Sequence, residues 1–387
     1  MKKQLQIFFS FLRFSIGSDK EIPPTLKEAD WEELYTIAQK QCLVGVLFDG
    51  IKRLPADVGM DKGLLFQWMA QNQTLRKANA RLDKAAVEVA EWFGRKGFRT
   101  CVLKGQGNAL LYPPGMERTP GDIDLWVDGG DRKVVSFVRS LSPDEKVCYH
   151  HIGFPEYNGV EVEVHFRPSF LFCFRHNRRL QGYYERVMDG QFAHRVKLGE
   201  QGEVAVPKAE FNLIFQLTHI FTHLMNEGIG LRQLLDYFFV LKNTDFIGNT
   251  DGDGFLLNTD FTDNTDRIGG NADGVDRRLL QDELRRLGLW EFAGAVMYIM
   301  KEVFGLEDNR LIVPPDVKRG RLVLKEVLEA GNFGQYDKRN WFGHSALGHN
   351  LQRLYRDMRL VRFFPAEALS EPFFRIWHFF WRKRIVR

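Results

Sequence analysis

The sequence predicts an α+β fold: a small mixed-sheet domain at about residues 96–207, between a helical region at 1–95 and another at 208–387. Two patterns carry this expectation. Apolar residues recur every three or four positions from about 25 to 95 and again after Pro207, the period of an amphipathic helix. Between those stretches, short runs alternate apolar and polar residues as half-buried strands do, with helical segments interleaved. Length agrees, since 387 residues exceed what one compact core usually holds.

Composition narrows the functional classes. Lys plus Arg number 54 and Asp plus Glu 50, a net +4 that by itself directs the chain to neither nucleic acid nor membrane. Cys42, Cys101, Cys148 and Cys173 lie far apart with no Cys-x-x-Cys pair, so neither a zinc site nor a disulfide framework is suggested. The opening MKKQLQIFFSFLRFSIG is broken by Gln4, Gln6 and Arg13 and reads as an amphipathic first helix rather than a secretion signal. No apolar run reaches transmembrane length, and the expected location is cytoplasmic.

Along the chain, Asp30 followed by Glu33 has the spacing of a helix-opening capping box. A long helix through Leu65, Trp68, Leu75, Leu82, Val89 and Trp92 ends at Gly97, after Arg95 and Lys96. FRTCVLKG then reads as a short strand, NALLYPPG as a helical turn, DIDLWVD as a second strand, DRKVVSFVRSL as a helix and VEVEVHF as a third strand. Helical spacing resumes after Pro207. Residues 244–275, rich in Asn, Asp, Gly and Thr, read as an exposed loop. Helices return from Asp276 to the end, where Ser370 is a candidate cap with Pro372 in the first turn.

Three features of the middle domain belong together. In DIDLWVD, strand alternation puts Ile123, Leu125 and Val127 on one face and Asp122, Asp124 and Trp126 on the other. Paired anions need solvent, a donor or a cation between them. In VEVEVHF, Glu161, Glu163 and His165 share a face; if this strand lies beside the first, a third carboxylate joins the pair, a donor set suited to Mg²⁺. In LKGQGN, Gly105 and Gly107 allow backbone N–H groups to approach a phosphate, and Lys104 and Arg118 add charge for a triphosphate.

VLKGQGNALLYPPGMERTPGDIDLWVD, VEVHFRP and HIFTHLMNEGIGLRQLLDYFFVL, taken in that order, resemble the bacterial nucleotidyltransferase-like family within the DNA polymerase β superfamily, over about 95–245. The resemblance implies a polymerase β-like domain transferring NMP from an NTP to a hydroxyl acceptor. Asp122, Asp124 and Glu163 would be the catalytic metal ligands, with two Mg²⁺ ions expected. Lys104, Gly105, Gly107, Arg118, His165, Arg232 and Asp236 would surround the nucleotide. The wider superfamily has Gly-Ser where this chain has Lys104-Gly105, so the serine's phosphate contact must come from elsewhere. The acceptor is left open among RNA, protein, sugar and small molecule. Two other readings compete: a sugar-nucleotide glycosyltransferase using Asp-x-Asp with a divalent ion, and a nucleotide-binding or scaffolding module.

Other motifs have plainer readings. Glu161 is either a further ligand or a solvent-facing acid, and His165 either a nucleotide or ligand contact or a structural histidine. His219 and His223 have zinc-compatible i, i+4 spacing but lack a metalloprotease glutamate. Arg232 and Asp236, also i, i+4, are expected to pair with each other, near the nucleotide or as a surface ion pair. Asn249–Asp260 follows the calcium-loop spacing except for Asp260 at position 12, and otherwise reads as an Asp-Gly loop. RIWHFFWRKRIVR mixes aromatic and basic residues that could meet RNA or a membrane, or simply pack as an amphipathic helix with a basic tip.

Overall fold

The computed structural model describes residues 3–55, 59–247, 274–339 and 346–386. Four helices open it: α1 (Lys3–Ser15), α2 (Trp31–Lys40), α3 (Val44–Ile51) and α4 (Lys62–Arg95). Phe8, Phe11 and Leu12 of α1 are fully buried, as its amphipathic spacing predicts. Asp30 caps α2 by accepting from the Glu33 N–H at 3.0 Å, and Asp61 caps α4 by accepting from that of Leu64 at 3.1 Å. Gly97, at φ +82°, turns the chain out of α4.

The sheet follows: β1 (Thr100–Val102), α5 (Gln106–Ala109), β2 (Ile123–Val127), α6 (Gly130–Leu141), β3 (His151–Tyr157) and β4 (Val160–His165). Strand order is β1-β2-β4-β3; β2 and β4 run parallel and the other two pairings are antiparallel, so the sheet is mixed, as expected. β3 escaped the sequence reading because Gly153 and Pro155 interrupt its alternation; as an edge strand it can accommodate a proline. Its signal was the turn into β4, where Asn158 and Gly159 both have left-handed φ (+53° and +72°), as a two-residue hairpin requires.

The sheet separates two cores. Ile123, Leu125 and Val127 pack with Val162 and Val164 of β4, Val134 and Val138 of α6, and Val89 and Phe93 near the end of α4. From the opposite face Trp126 reaches the helical core, with its ring 4.6 Å from that of Phe192 and 5.7 Å from that of Phe211. The face assignment made from alternation therefore holds, and cutting Trp126 back to alanine should cost about 3–5 kcal/mol.

Helices dominate the rest. α7 (Phe174–Ala193) leads through the hairpin β5 (Arg195–Lys197) and β6 (Glu203–Ala205) into α8 (Ala209–Asn226) and α9 (Leu231–Lys242), both almost wholly buried. The short strands β7 (Phe246–Ile247) and β8 (Val275–Asp276) pair in parallel at the base of the Asn/Asp/Gly-rich stretch. The calcium-like stretch Asn249–Asp260 lies outside the described residues. Then come α10 (Arg277–Leu287), α11 (Trp290–Glu302), α12 (Val317–Ala330), α13 (Ala346–Leu360) and α14 (Pro365–Ile385). One expectation is corrected here. α14 starts with Pro365 rather than after Ser370, because that proline takes the first-turn role, and Pro372 lies inside the helix.

Candidate active site

The site begins with strand pairing. In the parallel ladder Asp124 sits opposite Glu163 and Trp126 opposite His165, so the polar faces of β2 and β4 merge. Ligand atoms of Asp124, Glu163 and His165 lie within 4.8 Å of one another. The His165 Nε2 is 3.0 Å from Asp124 Oδ1 and 3.3 Å from Glu163 Oε2, while its Nδ1 faces the Arg167 carbonyl at 3.3 Å. β3 brings His151, whose Nδ1 is 3.3 Å from the same Glu163 oxygen. Glu161 is exposed, which favours the plainer of its two readings.

Lys104 ends the segment after β1. Its ammonium is 2.8 Å from Asp124 Oδ1 and 3.2 Å from His219 Nε2. Gly105 follows at φ +54° and ψ −106°, a conformation side chains avoid, and turns the chain into α5 beside the Asp122 carbonyl. Gly107 goes elsewhere. It lines a separate cavity of about 360 Å³ with Asn108, Val206 and Asn212, away from the acids.

Charges in this cluster are strongly coupled. Burial opposes ionisation of Asp124, but Lys104 and His165 outweigh it and hold the carboxyl well below its ordinary range. Asp122, pressed by the Asp124 charge and by burial, is pushed up to about 6. Burial disfavours a charge on His165, yet hydrogen bonds and attraction from Asp124 and Glu163 raise it to about 9, so it is an imidazolium at neutral pH. Lys104 is likewise raised against the pull of burial by Asp124, Asp122 and Glu163. His219, lowered by burial and by Lys104, stays neutral and accepts the Lys104 hydrogen bond. An ammonium and an imidazolium thus balance the acids, and these are two positive charges that one divalent cation could also supply.

The predicted Arg232–Asp236 pair does not form. Asp236 receives Arg118 instead in a buried two-point contact, Nε to Oδ1 at 2.8 Å and Nη2 to Oδ2 at 2.7 Å, with the Tyr112 hydroxyl donating at 2.7 Å. Bidentate geometry and burial favour this partner over an i, i+4 neighbour. Arg118 is accordingly spoken for, not a free phosphate ligand. Arg232 meets no carboxylate: it has a long contact to the Pro120 carbonyl at 3.4 Å, the Cys42 thiol beside it, an unpartnered Nε and a guanidinium lying against Gly121. A buried cation so poorly matched is suited to an anionic ligand.

Lys104, Gly105, Arg118, Asp122, Asp124, His219, Arg232 and Asp236 line a narrow cleft of about 30 Å³, room for about one water or ion. Phe333, at φ +50°, closes one side and packs on His223, with ring centroids 5.2 Å apart. Sequence reading missed His151, Gln216 and Phe333. The adjacent His150-His151 pair was visible, but nothing local tied it to the acids. Zinc at His219 and His223 is not favoured, because Lys104 engages the first and Glu227 the second, with no third ligand among the described residues.

No curated protein matches. Among solved structures, an antigenic nucleotidyltransferase-like protein from Paracoccidioides brasiliensis is similar at 16% identity, over 43% of this chain and 78% of that one, with a TM-score of 0.29. The family model described as uncharacterised nucleotidyltransferase matches residues 27–256, more than half of the chain and all of the cleft except Phe333. With the acids, the glycine turn and the mixed sheet inside that span, the chain belongs to this nucleotidyltransferase family.

Proposed function

We propose that the chain transfers NMP from an NTP to a hydroxyl acceptor, with Asp122, Asp124 and Glu163 as its acids and Mg²⁺ as its cofactor. The observation that carries this reading is the parallel register of β2 and β4, which sets Asp124 against Glu163 beside Lys104. The donor chemistry fits a divalent ion, since Asp124 and Glu163 bring carboxylate oxygens within 4.8 Å of each other and Asp122 lines the same cleft as Asp124. When bound, the ion supplies charge neutralisation for the triphosphate and a lowered pKa for the acceptor hydroxyl.

The chain's own residues supply the rest. Lys104 releases Asp124 and turns toward the phosphates. Arg232 offers its unmatched donors to an oxygen of the leaving pyrophosphate. Buried Asp236 holds Arg118, which keeps the Thr119–Gly121 turn and therefore Asp122 in place. His165 locks the Asp124 carboxylate in orientation through Nε2. Catalysis of this kind depends on positioning and charge rather than on a covalent protein intermediate.

A glycosyltransferase is disfavoured, because only the three-residue β1 precedes Asp122 in the sheet, too little for a sugar-nucleotide domain. The test is incubation with α-labelled NTPs, Mg²⁺ and candidate acceptors, alongside Asp124→Asn. Label transfer lost in that variant supports the reading. Nucleotide binding without transfer favours the binding-module alternative.

A further inference from the structure

The outward face of α14 is as apolar as its inward face. Inward, the Phe374 ring stacks on that of Phe170 at 5.3 Å, and Trp381 packs against Tyr149 at 5.4 Å under the Arg167 guanidinium. This anchors the helix beside His150 and His151. Outward, Leu369, Phe373, Ile376 and Phe380 recur at i, i+4, i+7 and i+11, one stripe of the helix, and each is at least 60% exposed. Leu354 and Met358 of α13, which packs alongside, are exposed apolar residues too. A surface helix normally turns polar residues to water, and apolar patches of this kind mark a contact surface.

The surface charge that α13 and α14 themselves carry has one sign. The three carboxylates of α13 and α14, Asp357, Glu367 and Glu371, are all buried. Arg362, Lys383 and Arg384 are exposed, Arg382 is half-buried, and none of the four meets a carboxylate among the described residues. We infer that α13 and α14 form a peripheral docking surface for anionic phospholipid membranes. α14 would lie in the interface plane with its stripe among the acyl chains and its basic end among the headgroups. No described helix is long and apolar enough to cross a membrane, so the mode is attachment rather than spanning. The aliphatic half of the patch offers no ring for base stacking, which disfavours RNA. A second copy would bring these unpaired cations face to face across a two-fold contact.

The experiment is flotation of the full chain with phosphatidylcholine vesicles, with and without phosphatidylglycerol. Binding is expected only with the anionic lipid, weakening as salt rises. It should fall about tenfold or more in Phe373→Glu/Phe380→Glu and in Lys383→Glu/Arg384→Glu. All these side chains are exposed, so circular dichroism and thermal melting should match the parent protein and exclude misfolding as the cause. Absence of anionic-vesicle binding overturns the inference, as does equal binding to neutral vesicles. So does a Phe373→Glu/Phe380→Glu protein that binds unchanged. Competition by homopolymeric RNA, or a concentration-dependent dimer abolished by the Phe373→Glu/Phe380→Glu change, would assign the surface to RNA or to self-association instead.

Discussion

Asp124 and Glu163, 39 positions apart in the chain, face each other in the parallel ladder of β2 and β4 with the His165 imidazole between their carboxylates. Lys104 meets the same Asp124 oxygen as His165 does. Of the cations lining the cleft, Lys104 and Arg118 each meet a carboxylate, whereas Arg232 meets none within ion-pair distance among the described residues.

That pairing makes Lys104 a competitor of any divalent ion at Asp124. Lys104→Met should tighten Mn²⁺ binding severalfold in an electron paramagnetic resonance titration, while raising KM for NTP because a phosphate contact is gone. Asp124→Asn should abolish ion binding and turnover together. Unchanged Mn²⁺ affinity in both variants would sink the assignment.

In the same cluster, Asp124→Asn removes the stronger support for the His165 charge. The imidazole should titrate well below its value of about 9, as read from its ring-proton shifts against pH. A titration that does not move would mean that Glu163 alone holds the proton.

Arg118 and Asp236 form a buried pair, so deleting one partner strands the other. Asp236→Ala should lower stability by about 3–5 kcal/mol in urea unfolding, and the double variant Arg118→Met/Asp236→Ala should recover part of it. Burial raises the Asp236 carboxyl, but Arg118 more than offsets this and its folded pKa is depressed. Its contribution is thus full above the unfolded carboxylate pKa and lost as pH falls through the folded value. Asp236→Asn should flatten that acid limb.

Asp357 behaves in the opposite sense. Burial and the neighbouring Glu371 push it up to about 8. The folded state therefore holds a proton that the unfolded chain releases near pH 4, and stability should decline as pH rises from there to about 8, by at most about 1.4 kcal/mol per unit. Asp357→Asn, which mimics the protonated form, should melt higher than the parent at alkaline pH and close to it at pH 5. Equal slopes for the two proteins would contradict this.

Phe333 narrows the cleft from a left-handed conformation that costs a non-glycine residue about 1–3 kcal/mol. Phe333→Gly should relieve that strain and open the cleft together. The expected result is a lower KM for NTP with no loss of melting temperature. A raised KM would instead make the ring part of the nucleotide contact.

Short-range pattern determined a good deal. The spacing of apolar residues marked the helices, and Asp30 and Gly97 marked two of their ends. Alternation alone put Asp124 and Trp126 on the face of β2 opposite Ile123, Leu125 and Val127, because a strand's side-chain period is fixed by its backbone. The ordered motifs pointed to the right family. Tertiary structure decided which strands are neighbours, and only that choice turned Glu163 toward Asp124 and delivered His151 by way of an unrecognised edge strand. It also gave Asp236 to Arg118 rather than Arg232, and left the outer stripe of α14 bare. These are contacts between residues distant in sequence, chosen by competition among partners in three dimensions, and no local period encodes the winner.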